Sequence, residues 1–133
     1  MELSEILSTV DEQSAGRWFE ILHPVEGGPL GLRLKLAGPD SRQQAEALAI
    51  MTDELAEAAD AEGRVTGQDR EAIRRRFLAR IVLDWEATED GKPVPFSFSA
   101  VLKLMGVAYV RSQVDAYGAA RAPYFVGAYD AEA

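Results

Sequence analysis

The sequence predicts a single α+β domain, an N-terminal antiparallel β-hairpin followed by about four α-helices. Three observations carry this expectation. Before Gly38 the apolar period is two: Leu30, Leu32, Leu34 and Leu36 alternate with Gly31, Arg33 and Lys35, so one face of a strand is dry and the other wet. After Gly38 the period changes to that of a helix. The 133 residues are 47% hydrophobic and 27% charged, enough to bury one core without staples.

Taken in order, residues 1–16 carry little pattern and are expected as a flexible arm or short helix. Residues 17–37 are the hairpin. The first strand, RWFEILH, is rich in aromatic and β-favouring residues, and 23–29, HPVEGGP, is dense in turn formers. A lone hairpin is marginal in water, so its leucine face must cover helices or meet another chain. Residues 38–125 form the helical part and 126–133 a tail. Ser41 with Gln44 fits a capping box, and Ala45, Leu48, Thr52, Leu55 and Ala59 then recur at helical spacing up to a stop at Gly63. Thr66 with Asp69 starts the next helix, where Ile73, Phe77, Ile81 and Trp85 fall four apart, with Leu78 and Val82 widening the stripe. This predicts a helix over 70–85. A Glu89-Asp90-Gly91 turn follows, Pro93 and Pro95 hold an extended stretch, and Ser97 or Ser99 caps a helix over 100–105. Gly106 separates or kinks it from a last helix over 107–120, with Val107, Val110, Val114 and Tyr117 inward and Pro123 beyond its end. The expected core is Leu32, Leu34, Leu48, Leu55, Ile73, Phe77, Ile81, Trp85, Val110 and Val114.

The net charge is −8, which opposes the phosphate neutralisation that drives nucleic-acid binding. The one basic cluster, Arg70, Arg74, Arg75, Arg76 and Arg80, reads as a solvated helix face paired with nearby acids, or as a docking patch for an acidic partner. There is no cysteine, which removes disulfides, thiolate metal sites and cysteine nucleophiles. Residues 1–10, MELSEILSTV, put acids where a signal peptide needs positive charge. No run reaches the ~18 apolar residues of a membrane span. The expectation is a soluble, intracellular protein with no membrane and no nucleic-acid partner.

Catalytic chemistry finds no foothold. Residues 58–69 imitate a calcium loop, but its first ligand position is Ala58 and its last is Asp69, too short for the bidentate glutamate grip. His23 is the only histidine and has no evident triad or metal partner. Ser97 and Ser99 lack a nucleophile elbow, and the carboxylates are spread over solvated helix faces. No catalytic, cofactor-binding or metal-binding residue is assigned, and no enzymatic activity is expected. The aromatics gather towards the C-terminus. Most suit a core, while Tyr124 and Phe125, with Leu30 and Leu32 on the hairpin, are the candidates for binding a partner.

The order of these pieces resembles the small tail assembly chaperones of long-tailed bacteriophages and prophages. The pieces are FEILHPVEGGPLGLRLKLAG at 19–38, GPDS at 38–41, a charged helix ending at Trp85, DGKPVPFS at 90–97, and a final helix ending in an aromatic pair at Tyr124-Phe125. No single motif carries the resemblance; the order does, over residues 19–125. It implies a protein, working in the cytoplasm of the bacterial host, that coats the helical tape measure protein until the tail tube protein polymerises around it. The family often has a longer form made by translational frameshift. Homo-oligomerisation is compatible with this role. The rival reading is a structural virion component, such as a head–tail connector or tail-completion subunit. A third is a regulatory binding module unrelated to phages.

Overall fold

The computed structural model describes residues 1–125; the expected tail over 126–133 lies outside the described residues. The fold is mixed α and β. Helix α1 (Leu3–Ala15) leads into strands β1 (Arg17–Leu22) and β2 (Pro29–Leu36), followed by helices α2 (Arg42–Ala58) and α3 (Gly67–Ile81). Strand β3 (Val82–Glu86) and the short strands β4 (Thr88–Glu89) and β5 (Lys92–Pro93) come next, then helices α4 (Phe98–Leu104) and α5 (Ala108–Gly118) and a 3-10 turn (Ala122–Tyr124). The predicted hairpin pairs as expected, with Phe19 opposite Leu34 and Glu20 opposite Arg33.

One expectation about the order of elements is corrected and one left open is decided. Of the flexible arm or short helix expected over residues 1–16, the helix is found, 13 residues long and ahead of the hairpin, which brings the α-helices among the described residues to five. Strands also occur after residue 60: the helix expected over 70–85 ends at Ile81, and Val82–Glu86 joins β2 as the third strand of an antiparallel sheet ordered β1-β2-β3. The segment IVLDWE satisfies both periods. Ile81 and Trp85 are four apart, while Asp84, Trp85 and Glu86 alternate and the β-branched and aromatic residues favour a strand. The open edge of β2 decides it, because every ladder group left unpaired in the interior is destabilising.

The inner face of the sheet carries Phe19, Ile21, Leu34, Leu36, Val82 and Trp85. Ile21, Leu34 and Leu36 are essentially inaccessible, and Val101 of α4, Met105 at its C-cap and Val110 and Val114 of α5 belong to the same buried cluster. Phe19 stacks on Tyr117 with ring centroids 4.7 Å apart. The outer face is polar: Arg33 meets Glu86 at 3.0 Å and lies 5.1 Å over the Trp18 ring.

Of the expected core, Leu34, Ile73, Phe77, Ile81, Val110 and Val114 are buried. Leu32, Leu55 and Trp85 are only half-buried, and Leu48 is 51% exposed. The stripe on α2 is displaced because polar side chains hold inward positions. Gln44 Nε2 donates to the carbonyls of Ala37 at 2.9 Å and Gly118 at 2.7 Å. Glu54 accepts from Arg76 and from Arg80, the latter at 2.7 Å. Ala47 and Met51 lie between these two anchors and face the core.

Both helix starts predicted from Ser41 and Thr66 hold: Ser41 Oγ accepts from Gln44 N and Thr66 Oγ1 from Asp69 N, each at 3.1 Å; the capping box expected at Ser41 does not close, because the Gln44 side chain turns to Ala37 and Gly118 instead. Helix α1 is fastened at its C-terminal end. Gln13 is fully buried; its Oε1 accepts from Asp40 N at 2.6 Å and its backbone carbonyl from Gly38 N at 2.9 Å. A Cβ on Gly38 would stand 2.6 Å from Gln13 Cγ, so only glycine fits there.

Phe77→Ala should lower stability by roughly 3–5 kcal/mol in chemical denaturation; a loss under about 1 kcal/mol would remove Phe77 from the core. Gly38→Ala should destabilise by about 1–3 kcal/mol through overpacking and should speed amide exchange throughout α1. Parent-like exchange there would refute the clamp. Burial pushes the Glu54 carboxyl up, but the hydrogen bonds from Arg76 and Arg80 outweigh it and hold the group below its ordinary value of 4.5. A depressed carboxylate contributes stability that is full above the unfolded value and is lost as pH falls through the folded one. Glu54→Gln should therefore be less stable than the parent at neutral pH, and the gap should close as pH drops below about 4.5. A gap that persists unchanged into strong acid would show that the ion pairs are not its source.

Candidate interaction surface

Strand β2 is irregular where it leaves the core. Between the pairs Glu20–Arg33 and Leu22–Pro29, the single residue Ile21 faces Leu30, Gly31 and Leu32. Gly31 takes φ +79°, a conformation that side chains rarely adopt. The bulge turns Leu30 and Leu32 out of the regular alternation and leaves Leu30 38% exposed.

Opposite the bulge, β3 brings up Trp85. Its Nε1 donates to the Val94 carbonyl at 2.8 Å, and its ring meets Phe96 edge-on at 6.0 Å. Residues 87–94 loop out and return, with Val94 N donating to Ala87 O at 2.8 Å. The reversal is a two-residue hairpin turn at Asp90-Gly91, with φ of 52° and 74°, the positive-φ geometry that Asp-Gly favours. Ser97 Oγ accepts from Ala100 N at 3.1 Å and caps α4, which carries Ala100, Lys103 and Leu104 to the far wall.

These elements enclose an open groove of about 520 Å³ lined by Leu30, Leu32, Trp85, Val94, Leu104 and Val107 among others. Among the described residues its one charged lining residue is Lys103. The arrangement offers apolar area, the Thr88 hydroxyl and one cation, with no carboxylate or histidine among the described lining residues.

The four predicted partner-binding residues separate into two places. Leu30 and Leu32 line the groove. Tyr124 and Phe125 sit beside the start of β1, the other end of the hairpin. Tyr124 is buried, with the Arg17 guanidinium 5.7 Å from its ring centroid. Burial raises the phenol's pKa, and the Arg17 charge opposes that only in part. Phe125 is half-buried. Trp85, Val94, Leu104 and Val107 were not foreseen as groove residues. The Asp90-Gly91 dipeptide was the available signal, since that pair between extended residues marks a hairpin and fixes what lies on either side.

The remaining motifs have structural roles. His23 Nδ1 accepts from the backbone N–H of Val25 at 3.2 Å and of Glu26 at 3.1 Å. Asp60 Oδ1 accepts from Glu62 N and Arg64 N, each at 2.9 Å, so this acid fastens the α2–α3 loop. Most of the basic cluster is paired: Arg76 and Arg80 with Glu54, Arg74 with Asp115, and Arg75 with Glu71. No described helix is long and apolar enough to cross a membrane.

Comparisons with protein-family models, curated proteins and solved structures give no match to this chain.

Proposed function

We propose that this protein is a non-catalytic binding module that seats the apolar face of a helical partner segment in the Leu30–Trp85–Val107 groove. The observation that supports this is the groove itself, a solvent-open apolar surface with a single charged residue at its wall. Monomeric proteins rarely leave contiguous apolar surface open without a use for it. The best-fitting occupant is a helix presenting leucine-sized side chains with one acid placed against Lys103.

On the ordered sequence resemblance, the specific role is tail assembly chaperone, the client the tape measure protein, and the setting the host cytoplasm before the tail tube protein polymerises. Burial of apolar area supplies the contact, while the net charge of −8 favours solubility of a coated client.

The test is co-expression with the tape measure protein of the same genome. The client should stay soluble with the wild type and precipitate with Leu30→Glu or Val107→Glu. Moderate salt should weaken the complex only slightly, because apolar burial is not screened. Groove variants that still solubilise the client would refute this binding site. Mass spectrometry of purified particles should not find the protein; its presence there at stoichiometric level would favour the structural virion component instead.

A further inference from the structure

Helix α1 carries a second open apolar surface. Leu3, Ile6, Leu7 and Val10 fall at the i, i+3, i+4, i+7 spacing of one helix face. Leu3 is 70% exposed, Ile6 48% and Leu7 57%. The helix closes its own start, since the Glu5 carboxylate accepts from Glu2 N at 3.2 Å, and it is anchored at the other end by Gln13 against Gly38 and Asp40. It is therefore a helical arm anchored at its base, with an exposed apolar stripe over its first two turns.

We propose that this stripe docks in the Leu30–Trp85–Val107 groove of a second copy of the chain. Each molecule then carries both halves of a contact that it does not make with itself: the groove lining includes no residue of α1, and the base of α1 is pinned near the opposite end of β2. Charge selects this pairing over the alternative of two α1 helices face to face. At ~100° per residue, Asp11 and, just before the helix, Glu2 flank the stripe, Glu5 and Glu12 lie on the opposite face, and α1 has no cation, so an α1–α1 contact sets acid against acid at its rims. Among the described residues the groove lining supplies Lys103 and no acid, complementary to the flanking acids Glu2 and Asp11.

The stripe from Leu3 to Val10 spans only about 10 Å at the helical rise, so one such contact buries much less than the ~1,200 Å² of a stable interface. Self-association is accordingly weak and concentration-dependent. Arm-in-groove contact joins two different patches, so it makes a reciprocal pair, a ring or an open chain. The inference shares the groove with the client-binding reading, and a client segment with a longer apolar face displaces the arm.

The test is sedimentation velocity of the full chain from micromolar to millimolar concentration. The arm variant combines Leu3→Ser, Ile6→Ser and Leu7→Ser, and the groove variant is Leu30→Glu, with Lys103→Glu in its place if circular dichroism shows that Leu30→Glu unfolds. Wild type should self-associate and each variant alone should stay monomeric, with affinity at least tenfold weaker. An equimolar mixture of the two should form a heterodimer, because one good arm and one good groove remain. Wild type that is monomeric throughout, either variant associating alone, or a mixture that stays monomeric would each overturn the proposal. The arm variant should still solubilise the client, so failure of client binding alone bears on the proposed function and leaves the self-association result standing.

Discussion

The second edge of β2 is the constraint on which the rest of the molecule depends. The strand's inner side chains, Leu34 and Leu36, lie at the centre of the core, where ladder groups have no water to bond. One edge is taken by β1. The other is taken by Val82–Glu86, which α3 delivers with no intervening loop. At the junction Ala37 N donates to the Ile81 carbonyl at 2.9 Å, so the last helical residue already serves the sheet. Burial of a central strand thus overrides the helical periodicity that would have continued through Trp85.

The groove follows from that capture. Trp85 sits opposite Leu34 and so lies on the inner face near the sheet's end, where β2 has already bulged at Gly31. The Asp90-Gly91 turn folds the next residues back so that Val94 O meets the indole N–H, and Ser97 then starts α4 along the far wall. A continuous helix to Trp85 would have placed none of these groups together. The apolar surface is therefore a product of the helix-to-strand switch.

Much of this was legible from local chemistry. The hairpin pairing, the Ser41, Thr66 and Ser97 caps and the break at Gly106 are all decided within a few residues, and the sequence shows them. The register on α2 was not legible, because it depends on Gln44 reaching Ala37 and Gly118 and on Glu54 meeting Arg76 and Arg80, partners far away in the chain. Read by hydrophobicity alone, Leu48 outranks Ala47, yet Ala47 is the buried one. Trp85 failed differently, since its neighbours satisfy two periods and only the empty strand edge chooses between them. Of the four candidate binding residues, Leu30 and Leu32 reach the groove, while Tyr124 is held inward under Arg17 by a contact between the start of β1 and the 3-10 turn.

Buried and half-buried polar side chains perform a common task across the fold. Gln13 fixes α1 to the β2–α2 connection, Gln44 ties α2 to both β2's exit and α5's end, and Glu54 ties α2 to α3. A hydrogen-bonded group at such a junction sets orientation more sharply than apolar contact, because leaving it unpaired is heavily penalised. With elements positioned by these anchors, the apolar residues need not all converge on one core. Leu3, Ile6 and Leu7 on the arm, and Leu30 and Val107 at the groove, can remain in solvent without loosening the frame. A surface that the fold does not need for its own stability is one that can exchange occupants, and the arm and the groove are both surfaces of that kind.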